Sequence, residues 1–168
     1  VPINFLVGDE ETTYIYQDTG AETIISSMEF LPKIEACIEK APAVKNIILI
    51  DADVPSHTLS YHNLLESSTD EHEIDAVDDD QLAAPISTCG TTVKPKGVMH
   101  THKSLYENAR MQKETLDIPS GVTGVTVLPM CHSYGIASMN FGALVGGGTS
   151  VLLNSFDIYA ILSAIEKY

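Results

Sequence analysis

The chain has 168 residues, about one domain's worth of sequence and enough to bury a sizeable core. Its 23 acidic side chains outnumber 9 Lys and Arg, and the resulting charge of −14 argues against a nucleic-acid partner, because phosphate backbones demand basic patches. No apolar run approaches the ~18–20 residues of a membrane span, no secretory leader pattern is present, and three scattered cysteines outline no disulfide framework.

Taken in chain order, the periodicity alternates between short β-branched runs and longer helical patterns. Residues 22–26 and 46–50 read as buried strands, the second nearly all aliphatic in the manner of parallel strands. Between them Leu31, Ile34 and Ile38 recur at helical spacing, with Pro42 closing that pattern. Residues 66–81 carry eight acidic side chains between two apolar stretches and read as a solvated connector rather than a calcium loop, whose central glycine is missing. Residues 82–86 form a strand despite Pro85, and Thr101 caps a helix running to about Leu116. Another strand follows at 123–128. An apolar helix at 134–145 closes on Gly146, Gly147 and Gly148, residues 149–153 make a strand, and Ile158, Ile161, Leu162 and Ile165 mark a final amphipathic helix. The fold expected is a layered α/β domain with a largely parallel sheet flanked by helices, divided into 1–65, the connector 66–81, and 82–168.

The chemistry concentrates in residues 87–97, Ser-Thr-Cys-Gly-Thr-Thr-Val-Lys-Pro-Lys-Gly. Gly90 lets the backbone approach an anion, Thr91 and Thr92 add hydroxyl donors beside their own N–H groups, and Lys94 and Lys96 add positive charge. Pro95 stiffens the exit. The Gly-Lys-Ser/Thr of a Walker A loop is absent. This stretch, placed between a strand and a helix, is expected to cradle a polyphosphate.

The loop resembles the phosphate-binding signature of the adenylate-forming superfamily, which includes acyl-CoA synthetases, coumarate–CoA ligases, luciferases and peptide-synthetase adenylation domains. Thr88, Gly90, Thr91, Thr92, Pro95, Lys96 and Gly97 match it; Cys89 stands for a serine and Val93 for a glycine. Leu128-Pro129-Met130-Cys131-His132-Ser133-Tyr134-Gly135 is similar to the family's Leu-Pro-x-Phe-His-x-x-Gly segment, and Asp18-Thr19-Gly20-Ala21 to its Asp-Ser-Gly-Ala. The resemblance implies part of the large N-terminal domain of such an enzyme, covering nearly the whole chain.

It also implies the function: a carboxylate, ATP and CoA converted through an acyl-adenylate to an acyl-CoA, the acid being fatty or aryl, with Mg2+ accompanying ATP. Thr88, Cys89, Gly90, Thr91, Thr92, Val93 and Lys96 would hold the ATP phosphates, and His132, Tyr134 and Gly135 would border the acyl substrate. No catalytic residue and no metal ligand is assigned. The resembled enzymes are several times longer, and their ribose-binding aspartate, hinge and catalytic lysine have no counterpart here. The chain is therefore expected to be inactive alone, with the rest of such an enzyme as its partner. The alternatives are a degenerate nucleotide-binding module and, within the superfamily, a luciferase-like or amino-acid-adenylating enzyme. The compartment expected is intracellular, the cytoplasm before the peroxisome.

Other constellations are weaker. His100 and His102 flank Thr101 without the partners a zinc site needs. Cys131 beside His132 suggests a thiol nucleophile, but sequence neighbours on a strand point to opposite sides. Met139 and Phe141 lie at a spacing that suits a plain core as well as an acyl pocket.

Overall fold

A computed structural model describes residues 1–71, 73–88 and 94–168. The chain divides into two compact units, one built mainly from Leu6–Ala76, the other from Lys96–Tyr168 with Val1–Phe5 and the segment leading into residue 88.

In the first unit, helix α1 (Asp9–Thr19) begins on Asp9, Glu10 and Glu11, whose charges favour a helix N-terminus, and buries Thr12, Ile15 and Tyr16 on one face. It ends on Gly20 at φ 60°, where the Gly20 and Ala21 N–H groups donate back to Gln17 and Tyr16 carbonyls. The resembled Asp-Ser-Gly-Ala motif is thus, in this fold, a left-handed helix stop that favours glycine. Strand β1 (Thr23–Ser26) pairs in parallel with β2 (Asn46–Leu49), which pairs in parallel with the short β3 (Leu59–Ser60). Helix α2 (Leu31–Ile38) buries Leu31, Ile34 and Cys37 and ends before Pro42. Helix α3 (Tyr61–Ser67) is capped by the Ser60 hydroxyl, which accepts from the Asn63 N–H.

The second unit opens on an antiparallel hairpin. Strand β4 (Leu82–Ser87) pairs with β5 (Gly97–Thr101), with a register shift between Leu82 and Ala84. Pro85 sits within β4, opposite Met99. Helix α4 (His102–Thr115) follows directly. Farther on, β6 (Thr123–Thr126) and β7 (Thr149–Leu152) pair in parallel, linked by a π-helix (Tyr134–Asn140) that continues as α5 (Phe141–Val145). Such a connection between parallel strands is the crossover that a two-residue turn cannot make. Helix α6 (Ile158–Lys167) is capped by Asp157, whose Oδ1 accepts from the Ala160 N–H at 2.9 Å. The fold is therefore mixed α/β, with parallel sheets flanked by helices.

Two expectations change. The segment 97–101 is a strand, so the phosphate-loop stretch joins two antiparallel strands instead of a strand and a helix. Apolar periodicity does not announce this strand, because Gly97, Val98 and Met99 are all exposed and show no alternation. The periodic face of α6 exists but is not core: Ile158, Leu162 and Ile165 are exposed and Ala164 is its buried residue. Among the described residues, no helix is long and apolar enough to cross a membrane.

Candidate functional site

The hairpin positions the loop by its two ends. The Thr88 N–H donates to the Lys96 carbonyl at 2.9 Å, extending the ladder one step beyond the Ser87–Gly97 pair. The Thr88 hydroxyl lies 3.4 Å from both the carbonyl and the N–H of Lys96, donating to the first and accepting from the second. Thr88 and Lys96, expected together in one phosphate site, are thus joined across the mouth of the loop. Pro95 is buried, while the Lys96 side chain is exposed to solvent. The other loop residues assigned to phosphate binding, Cys89, Gly90, Thr91, Thr92 and Val93, lie outside the described residues.

The helix after the hairpin adds little to anion binding. Four N–H groups at an α-helix start have no intrahelical partner and could face an anion. In α4 three of them are consumed locally: His102 donates to the Gln81 carbonyl at 3.1 Å, Lys103 to the Asp79 carbonyl at 2.9 Å, and Ser104 to the Thr101 hydroxyl at 3.1 Å. His100 lies in β5 and His102 opens α4; among the described residues no group of three or more His, Cys, Asp or Glu could hold a metal ion.

The second group of expected site residues sits where β6 hands over to the π-helix. A tight turn carries the chain around, the His132 N–H donating to the Pro129 carbonyl at 3.0 Å and the Ile136 N–H to the His132 carbonyl at 3.1 Å. The His132 side chain is exposed, and its Nδ1 accepts the Tyr134 N–H at 3.1 Å. Gly135 is buried against this turn. A Cβ there would stand 2.2 Å from the Pro129 carbonyl oxygen and 2.9 Å from that of Leu128, so only glycine allows the helix to start this close. Tyr134 faces two cavities. One, of about 350 Å3, runs between the C-terminal half of α4, β6 and α5 and is lined by Leu116, Ile118, Val125, Met139 and Ala143. The other, of about 430 Å3, is lined by His100, Ser104, Asn108, Ser133 and Ala137.

Ser138 borders both cavities, and no sequence signal marked it. Its Oγ accepts from Gln112 Nε2 at 2.6 Å, and the same amide nitrogen reaches Asn108 Oδ1 at 3.3 Å. This polar chain ties α4 to the π-helix. Asn108 and Gln112 are four apart on one helix face, but an ordinary solvated helix carries the same pattern, and the partner is 26 residues away. The π-helix, with its i→i+5 bonding, is itself a feature that recurs at functional sites and that apolar periodicity does not distinguish from an α-helix.

The sequence model for AMP-binding enzymes matches residues 1–168. The chain is 30% identical over 159 residues to 4-coumarate–CoA ligase 3 of Arabidopsis thaliana, covering 90% of this chain and 28% of that protein. It is 30% identical over 168 residues to the long-chain-fatty-acid–CoA ligase FadD13 of Mycobacterium tuberculosis, covering 99% and 32%. Among solved structures, the anthranilate CoA ligase AuaEII in complex with anthranoyl-AMP superimposes with a TM-score of 0.88 at 24% identity, over 99% of this chain and 33% of that one. ATP-bound MatB from Rhodopseudomonas palustris gives 0.83 at 22% identity, over 99% and 32%. At those identities the structural likeness establishes the fold. The chain spans about 30% of the length of the curated relatives it matches. It belongs to the AMP-binding enzyme family.

Proposed function

Starting from that membership, we propose that this chain supplies the phosphate loop and part of the acyl site of an ATP-dependent carboxylate–CoA ligase acting on a fatty or aryl acid. The observation that supports the reading is the hairpin mouth, where Thr88 and Lys96 are hydrogen-bonded across a Thr- and Gly-rich loop. The relatives named as coumarate and fatty-acid CoA ligases support the substrate class.

In the first half-reaction a carboxylate oxygen attacks the α-phosphorus of ATP and pyrophosphate leaves. In the second, the CoA thiol attacks the acyl carbon, AMP leaves, and the thiol proton passes to solvent. Negative charge gathers on the departing pyrophosphate, so donors already aimed at it lower the barrier without reorganising. Thr91, Thr92 and their amides are assigned to the β- and γ-phosphates, with Thr88 and Lys96 holding the loop ends and Lys96 lending charge. His132 and Tyr134 are assigned to the acid. Magnesium accompanies ATP by charge; among the described residues no group of three or more His, Cys, Asp or Glu could hold it.

The test is calorimetric titration of the purified chain with Mg-ATP, beside a Thr91→Ala/Thr92→Ala variant. Binding that weakens in the variant is the expected result. A folded chain that releases no heat overturns the phosphate-cradle reading. It would favour the degenerate module instead, an outcome that Val93, a β-branched residue where the family signature carries glycine, would explain.

A further inference from the structure

We infer that Tyr14 is a positioning residue: its ring, with Asp18 behind it, seats the Lys94 ammonium and anchors the chain there to helix α1, so that Lys96 is left as the cation that meets a polyphosphate. The anchor stands on geometry alone; the division of roles between the two lysines rests on the ligase reading above.

Lys94 Nζ lies 4.8 Å from the centre of the Tyr14 ring. That is inside the roughly 6 Å over which the negative face of an aromatic ring attracts a cation. Both residues belong to the first compact unit. Among the described residues Lys94 forms no ion pair, although Glu10 and Glu11 open the same helix; its charge meets the ring instead. The Tyr14 hydroxyl donates to Asp18 Oδ1 at 3.2 Å, one turn farther along α1. A carboxylate that accepts from the phenol polarises it and strengthens the face that Lys94 uses. Asp18 opens the Asp18-Thr19-Gly20-Ala21 motif, whose glycine ends α1, and this hydrogen bond gives its carboxylate a separate task. Pro95 follows Lys94 directly and is buried. Its ring restricts the Lys94 backbone to extended conformations, so the ammonium is delivered from a stiff piece of chain.

An anchor and a phosphate ligand ask different things of a lysine. A cation on an aromatic face keeps one seat at modest strength, whereas a phosphate-binding ammonium must turn its N–H groups to the anion. Lys94 is in the first state. The Lys96 side chain is exposed and, among the described residues, has no ion pair, while its main chain is bonded to Thr88. Seating Lys94 removes conformational freedom before a ligand arrives, an ordering cost that binding would otherwise carry.

The experiment uses the whole chain labelled with 13C-lysine, Lys94 being assigned by the loss of its signals in Lys94→Gln. Its ε-methylene protons are expected upfield of their position in the same chain unfolded in urea, the mark of a ring beneath them. Tyr14→Leu should abolish that shift, and Tyr14→Phe, which keeps a ring face, should retain most of it. The Thr88 N–H, bonded to the Lys96 carbonyl, should exchange with solvent about two- to five-fold faster in Tyr14→Leu and in Lys94→Gln, the size of an exposed cation–π contact. Lys94→Gln alters an exposed side chain and decides the matter if Tyr14→Leu disturbs the fold. An absent upfield shift, or unchanged Thr88 exchange in Lys94→Gln, overturns the anchor and leaves the ligase reading untouched. Mg-ATP is then titrated. Tyr14→Leu and Lys94→Gln should each weaken binding about two- to five-fold, and the double variant should be no weaker than either, because both remove one contact. Lys96→Gln should weaken it about ten-fold or more. Losses that add in the double variant would make Lys94 a phosphate ligand, and unchanged or tighter binding in both single variants would leave the anchor no part in nucleotide binding. Either result overturns the division of roles between the lysines. A wild-type chain that binds no Mg-ATP overturns the ligase reading and that division, while the anchor stands or falls by the lysine spectrum and Thr88 exchange.

Discussion

Replacing Gly135 by alanine should damage the fold, whereas the same replacement seven residues later should improve it. At Gly135 the new Cβ would stand 2.2 Å from the Pro129 carbonyl oxygen, where ordinary contact begins at 3.4 Å. The π-helix must therefore retreat by roughly 1 Å, and the atoms in the way are main chain, which cannot rotate aside. Overpacking of this kind costs about 1–3 kcal/mol, and weakening the turn bond between His132 and Pro129 adds about 1 kcal/mol. Against this, alanine gains about 0.5–1 kcal/mol over glycine in a helix. The net expectation for Gly135→Ala is a loss of about 2 kcal/mol, or a Tm lowered by about 4–8 °C for a chain of this size. At Gly142 the nearest atom to an added Cβ is the Gln112 side-chain oxygen at 3.9 Å, so only the helix gain remains and Gly142→Ala should be stabilising by about 0.5–1 kcal/mol. Urea unfolding followed by far-UV circular dichroism reads both. If the two variants shift stability in the same direction, or Gly135→Ala matches wild type, the close approach at the turn is wrong.

Two further outcomes are expected. Asp157→Ala should cost about 1 kcal/mol by removing the cap on the Ala160 N–H, and Asp157→Asn should restore most of it; equal loss in thermal melts of both would refute the capping role. Tyr16, 4% exposed, has its hydroxyl pushed up to about 12 by burial and secondarily by the Cys37 thiol. An acid whose folded pKa is raised gives stability that is complete below its unfolded pKa, about 10 for tyrosine. That stability is lost as pH climbs from about 10 to 12, because the unfolded chain gives up its proton first. The urea midpoint of wild type should fall in this window more steeply than that of Tyr16→Phe, and parallel curves would sink the argument.

The sequence exposed those parts of the fold whose physics is local. The aliphatic run at 46–49 announced a parallel strand, Thr101 announced the start of α4, and the apolar run closed by glycines announced the helix at 134–145. Helix α1 was missed because its buried face includes Thr12 beside Ile15 and Tyr16, and a threonine does not register as core. Strand β5 was missed because its hydrogen bonds to β4 define it while its side chains remain largely exposed. The loop motif singles out Thr88 and Lys96, which the structure joins across the hairpin, and its own segment singles out His132. The orientation of His132 was not legible, since it depends on a main-chain N–H two residues away. The Gln112–Ser138 link was invisible for a different reason: it joins two helices whose mutual placement no local pattern encodes.

The hairpin has a kinetic meaning as well as a geometric one. Pairing Ser87 with Gly97 closes a stretch of ten residues, the difference of the two numbers, while pairing Thr123 with Thr149 closes 26. Because closure entropy grows as the logarithm of length, the longer closure costs about 0.8–0.9 kcal/mol more before any contact repays it. Contacts near in sequence also form sooner than distant ones. The strands flanking residues 89–95 should therefore find each other while β6 and β7 are still apart. In that order of events the two ends of the 89–95 stretch are joined early, and assembly of the cavities beside Tyr134, which needs the crossover between β6 and β7, comes last.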